Sequence, residues 1–126
     1  MVAGEVYRTA HLIMDPVLAK AGEDIVKGEL VATDESGFMQ ATSALAVTSA
    51  VYVAVDSVSA ASIVRKFRVV KRGAVYVKKE TGKMVQGLKL TVGEAGAVKL
   101  AGEDDIVIGE VGYTAEDTDI EVAMIF

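Results

Sequence analysis

The sequence predicts an all-β chain: a small single-domain barrel or sandwich with short strands, Gly-rich turns and an extended N-terminal arm. Three observations carry that prediction. Apolar and polar residues alternate in Val75-Tyr76-Val77-Lys78 and again in Leu88-Lys89-Leu90-Thr91. A period of two sends successive side chains to opposite faces of a strand. Gly73, Gly82, Gly87, Gly93 and Gly96 interrupt the same stretch at intervals that suit turns or bulges. Finally, the apolar fraction of 52% is built mainly from Val and Ala, with only 6% aromatics. β-Branched side chains favour pleated, half-buried surfaces over helices.

At 126 residues the chain is long enough to bury one core, and no internal linker divides it. Residues 1–16 read as the arm and residues 17–126 as the domain. Within the arm, residues 2–14 alternate loosely, as an arm or a first strand, and Asp15-Pro16 is expected to end them, because proline fixes φ and removes a donor. Residues 21–32, AGEDIVKGELVA, predict a turn and two short strands around Lys27-Gly28. Asp34-Glu35-Ser36-Gly37 is a turn signal that folds Phe38-Met39-Gln40 back as a hairpin. A helical turn suits residues 41–46 and a buried strand suits 51–55. Further strands are expected at 66–70, 74–79, 88–92, 106–111 and 120–125. The AGED opening at Ala21 returns at Ala101, which suggests two equivalent corners of a barrel.

Composition also bounds function. No cysteine is present, so disulfides and thiolate chemistry are excluded. Residues 1–10 hold Glu5 and Arg8 and show no secretory pattern. The longest apolar stretch, 44–64, carries Thr48, Asp56 and four serines, too polar for a membrane span, and no membrane partner is expected. A mean hydropathy of +0.38 is high for a soluble monomer and hints at surface buried between subunits.

Charge is unevenly placed. Arg65, Lys66, Arg68, Lys71, Arg72, Lys78, Lys79 and Lys83 face only Glu80, so residues 65–83 carry +7 in a chain of net charge −5, and the remainder carries −12. Such a band steers partners or forms the solvent row of amphipathic strands. It lacks the aromatic surround of a single-strand binding surface apart from Phe67 and Tyr76, and with a sequence pI near 4.8 nucleic acid is not an expected partner.

Catalytic and metal signatures are missing. His11 is the lone histidine, which disfavours a histidine metal centre or a triad. Glu103-Asp104-Asp105 and Glu116-Asp117-Thr118-Asp119 do not match a calcium loop and read as turn carboxylates. Gly93-Glu94-Ala95-Gly96 lacks the Gly-Lys-Ser/Thr end of a phosphate loop. Met14, Met39, Met84, Met124 and Phe126 suit core filling or a subunit seam. No enzyme activity, cofactor or metal is expected.

The order AGEDIVKGELVA, then RGAVYVKKETGKM, then GLKLTVGEAGAVKLAGEDDIVIGEVGYTAEDTDIEVAMIF resembles small β-rich capsid decoration (cement) proteins of tailed phages and related viruses. The features that carry the likeness are Gly87-Leu88-Lys89-Leu90, Gly96 and Ile108-Gly109, and it spans roughly residues 20–126. The resemblance implies a structural virion protein that binds the outer surface of an assembled icosahedral capsid, braces the major capsid protein, and forms homotrimers at three-fold or quasi-three-fold positions. It implies a location on the capsid outer surface, with host cytoplasm during assembly. Interface candidates are Val2, Val6, Tyr7, Leu12 and Met14 in the arm, and Arg65, Lys66, Arg68, Lys71 and Arg72 in the basic band.

Two other readings stay open. The 23–30 corner resembles barrel-sandwich carrier or ligand-binding modules, in which Lys27 would be the modified residue. An enzyme would need Tyr52, Tyr76, Asp56 and Glu80 brought together.

Overall fold

The computed structural model describes Ala3, Gly4 and residues 6–126, with residues 6–12 described as backbone only. Nine strands among these residues form one antiparallel sheet that curls into a half-barrel, as the alternating sequence predicts. In chain order they are β1 (Val6–Leu18), β2 (Leu30–Asp34), β3 (Gly37–Gln40), β4 (Tyr52–Ala54), β5 (Lys66–Lys78), β6 (Lys89–Val92), β7 (Val98–Leu100), β8 (Gly109–Tyr113) and β9 (Glu121–Ile125). One short helix, α1 (Ser43–Thr48), follows β3. Its N-cap is Thr42, whose hydroxyl accepts the Leu45 N–H at 3.1 Å.

The strands repeat. β1 and β5 are each 13 residues long, and they begin at positions 6 and 66. β1 pairs with β5, β2 with β3 and β4, and β4 with β5. In the same order β5 pairs with β9, β6 with β7 and β8, and β8 with β9. Parallel bridges Ala19↔Phe38 and Lys79↔Val98 correspond, as do the antiparallel bridges Ile25↔Val58 and Met84↔Ala115. Gly28 and Gly87 hold the same left-handed conformation, φ +92° and +90°, and their N–H groups donate to Ala54 and Val111, both at 2.8 Å. The chain is thus two five-strand units that share β5.

Each unit fills itself with equivalent side chains. Ile25, Val31, Ala54, Val58, Phe67 and Val69 form the first core. Their counterparts Met84, Leu90, Val111, Ala115, Val122 and Met124 lie in the second. The second cluster is larger because the far face of the first unit's sheet, with Leu30, Ala32, Val53 and Val70, packs onto it. Residues 69 and 70 are both fully buried because β5 has a core on each side.

Several expectations change. Strands 66–70 and 74–79 are one strand, with Gly73 (φ +134°) inside it. The register against β1 steps between Met14↔Val70 and Ile13↔Arg72, which makes Lys71 an extra residue and turns the strand's inward row over. Pro16 does not end the first strand, which runs to Leu18. Ala19 N–H donates to Arg65 C=O, so the period of two turns the Pro16 nitrogen away from β5, where no donor is needed. From Val6 onward the expected arm is therefore β1, paired within its own chain, and ahead of it the Gly4 N–H donates to the Tyr76 carbonyl. Residues 106–108 are not strand, because Asp105 accepts the Gly102 N–H and holds the chain in a turn before Gly109. The two AGED corners are not equivalent: Ile25 is 1% exposed and Ile106 43%. The structural counterpart of AGEDIVKGELVA is instead the stretch around Gly82 and Gly87, which shares little more than glycines and Val26/Val85 with it. The 34–37 hairpin and the 41–46 helical turn are present, the latter shifted to 43–48.

Two stability outcomes follow from this packing. Phe67, 2% exposed and edge-on to Phe38, should cost about 3–5 kcal/mol when cut to Ala in urea unfolding, as large aromatic deletions do. Gly96 sits at φ +77°, and a Cβ there would lie 3.0 Å from both Gln40 Cγ and Glu29 Cβ. Gly96→Val should cost at least about 1–2 kcal/mol, whereas exposed Lys99→Ala should stay within about 0.5 kcal/mol. Equal effects at the two positions would contradict the turn geometry.

Candidate functional site

The basic band is the sequence's strongest candidate surface, and the fold divides it. Arg65 is structural. Its guanidinium donates to the carbonyls of Ser59, Lys20 and Glu23, tying the β4–β5 loop to the β1–β2 corner, while its buried Nε has no partner. In the second unit the Lys79 ammonium, 8% exposed, does the matching work on the carbonyls of Asp119 and Glu116, at 3.1 and 3.4 Å. Arg68 makes a two-pronged pair with Asp56, both contacts 2.9 Å. Lys71 pairs with Asp15 at 2.9 Å and lies 5.4 Å over the Tyr52 ring. Lys66 and Arg72 are exposed on β5 and pair with no acid among the described residues. Of the five band candidates, these two remain open for a partner.

The arm candidates fare differently. Val2 lies outside the described residues, as do the side chains of Val6, Tyr7 and Leu12. Met14 is half-buried and packs against the larger core, so its side chain already has a place in this chain.

Sequence reading missed the polar seam between the units. Glu29 is 4% exposed and accepts from the Val26 N–H at 2.8 Å, Gln40 Nε2 at 2.9 Å and Lys78 Nζ at 3.2 Å. Lys78 N–H donates to Gly28 C=O at 2.9 Å, and Leu30 N–H to Gly96 C=O at 2.8 Å. A buried carboxylate needs such donors, since leaving it unpaired is costly. Nothing in GELVA distinguishes Glu29 from a solvent-row glutamate; only its position against the second unit does.

Residues proposed for chemistry do not converge. Asp56 is held by Arg68, Glu80 accepts the Glu94 N–H at 2.7 Å in the β6–β7 turn, and Tyr52 stacks on Phe38 at 6.0 Å. Lys27 lies in the β1–β2 corner beside Ala3-Gly4, not at a hairpin tip. Asp105 and Asp119 accept backbone N–H groups of their own turns, as the turn reading expects. Among the described residues no cluster of acids, histidine or cysteine has metal-site geometry. A shallow cleft of about 250 Å³ separates α1 from the β6–β7 hairpin, lined by Ser43, Val47, Thr91, Lys99 and Asp104 among others. No helix among the described residues is long and apolar enough to cross a membrane.

Ion pairs on this surface set a pH response. The Arg68 guanidinium holds the Asp56 carboxyl below the usual carboxylate range, and Lys20 does the same for Asp34, helped by the Ser36 N–H. A lowered carboxylate contributes stability above its unfolded value, about 3.9, and loses it as pH falls through the folded one. Asp56→Asn should therefore flatten the acid limb of a stability–pH profile below about pH 4. At neutral pH it should cost about 1 kcal/mol or less, because the pair is largely exposed. Urea unfolding of both proteins at neutral and acid pH measures this; parallel profiles would contradict it.

No family model matches the chain, and no curated protein does. Among solved structures it is similar to the N base of the head fiber protein gp8.5 of bacteriophage phi29. The TM-score is 0.64 at 20% sequence identity, over 90% of this chain and 95% of that one. Agreement over nearly the whole of both chains shows that the two share this fold.

Proposed function

We propose that this chain is a structural virion protein of a tailed phage or related virus, which binds the outer surface of the assembled capsid and stabilises it. The observation that carries the reading is the whole-length fold likeness to the base of a phage head fiber protein. The decoration-protein rhythm of residues 87–109 supports it independently. In this reading the partners are the major capsid protein and further copies of the chain, arranged as a trimer at three-fold or quasi-three-fold positions. The protein works without catalysis, cofactor, nucleic acid or membrane. The physical logic suits a chain whose polar groups are engaged with one another. A repeated lattice lets several weak contacts add through effective concentration.

The direct test is co-sedimentation of the purified chain with assembled capsids of the virus that encodes it. Saturable binding and a raised capsid melting temperature are expected; absence of any binding overturns the reading. Lys66 and Arg72 are the exposed cations of β5 without an acidic partner among the described residues. The double variant K66E/R72E should weaken binding at low salt, and the difference should shrink as salt screens it. Equal binding by variant and wild type would exclude these two cations from the contact.

A further inference from the structure

The internal repeat identifies a seam that is used once between the two units and whose counterpart positions are exposed among the described residues. Each unit presents a corner: the left-handed glycine, the residue after it, and the last residue of the third strand. In the first unit these are Gly28, Glu29 and Gln40; in the second they are Gly87, Leu88 and Leu100. What covers the first corner is the end of the second unit's leading strand, Lys78, together with the Gly96 hairpin turn. The counterpart of Lys78 is Leu18, the last residue of β1, and the counterpart turn is the acidic tip 34–37.

Side-chain chemistry has changed at these positions in concert. The covered seam is a polar trio, Lys78 to Glu29 to Gln40. The uncovered equivalents are three leucines: Leu18 is 63% exposed, Leu88 44% and Leu100 40%. Further apolar side chains stand beside them. Ile63 and Val64 are exposed next to Arg65, whose carbonyl takes the N–H of Ala19. Val85 is exposed in the tight turn where Leu88 N–H meets its carbonyl. Thus each end of the molecule carries a small apolar group, at positions that would meet if one copy followed another as the second unit follows the first.

We infer that a second copy of this chain docks head to tail, its Leu18 end seated on the Leu88–Leu100 corner of the first. The contact is heterologous, so it closes into a ring or continues as a chain according to the rotation between copies. Leu30 and Val53 of the internal seam are replaced by Lys89 and Glu110, which pair with each other across β6 and β8 at 3.5 Å. A pair already satisfied within one copy can border an interface without leaving an isolated charge, and Lys89 stands where the acidic 34–37 tip of the next copy arrives. In the second unit β9 already holds the place that residues 66–70 of β5 hold in the first, so the contact is confined to the Leu18 end of β1. The inference rests on the capsid reading only for closure around a three-fold axis; the contact itself is tested in solution, without capsids.

The test recreates the internal ion pair between copies. Leu18→Lys and Leu88→Glu are made singly, and mass in solution is followed against concentration by sedimentation. Both positions are exposed, so each variant should keep the wild-type melting temperature and far-ultraviolet spectrum. Wild type should associate, and each variant alone should lose at least about tenfold in association constant, because a charge meets leucine without a partner. Mixing the two variants should restore association between unlike copies, fully in an open chain or an even ring and at two of every three contacts in a trimer. The ammonium introduced at position 18 of one copy then meets the carboxylate introduced at position 88 of the other, and the remaining contact is Leu18 on Leu88. Wild type that stays monomeric at millimolar concentration overturns the inference, as do single variants that associate like wild type or a mixture that fails to recover. Capsid binding by a chain that is monomeric in solution would sink this seam and leave the capsid reading standing.

Discussion

Strand β5 serves two cores at once, and every other part of the fold takes its place from that. Its first half closes the first unit through Phe67 and Val69, and its second half opens the next through Val75 and Val77. A regular strand cannot do this, because a strict period of two keeps one row of side chains on one face. The extra residue at Lys71 and the left-handed Gly73 break the period at the junction. With the inward row exchanged there, 13 residues of continuous backbone carry two packing surfaces. The remaining strands hang from β5: β1 along both halves, β4 along its first and β9 along its second.

Two units joined by one strand could swing about it. The seam at Glu29 opposes that, because it binds a corner of the first unit to the strand end and hairpin turn of the second. Its components are a buried carboxylate with three donors and two backbone hydrogen bonds. Buried ionic networks contribute little net stability against apolar packing of the same shape, but breaking one is costly. Their geometry is also directional, which suits fixing the orientation of two bodies already held together by Leu30, Val53 and Val70.

Cations in this chain serve chiefly as local ties. Arg65 and Lys79 bind loop carbonyls at matching places in the two units, though they stand at different positions in the repeat. The loop before the last strand of each unit thus receives a cationic donor, from Arg65 just ahead of β5 in the first and from Lys79 just behind it in the second. The +7 of residues 65–83 is therefore much less a field aimed at a partner than its sum implies, because most of its members meet an acid or a carbonyl a few ångströms away.

Local structure is legible along the chain. Alternation in residues 75–78 and 88–91 marks strands, Asp34–Gly37 marks a hairpin, and the absence of histidine pairs and cysteine removes whole classes of chemistry. These are relations between neighbours in sequence, where propensity and period act directly. Packing settles the relations between residues far apart. The repeat is invisible in the sequence because its matching core positions preserve burial and backbone conformation, not side-chain identity: Ile25 answers to Met84 and Phe67 to Val122, while at the corner Glu29 is buried and its counterpart Leu88 is exposed. The visible echo, AGED, joins two places that the fold treats differently, since a four-residue string encodes a turn and not its surroundings. Gly73 reads as a break between strands because glycine permits both a turn and a bulge. Only pairing with β1 on one edge and β9 on the other holds that backbone in a continuous strand. Likewise, whether a glutamate or a leucine at the corner is buried depends on which unit packs against it, and for Glu29 that partner, Lys78, lies 49 residues away.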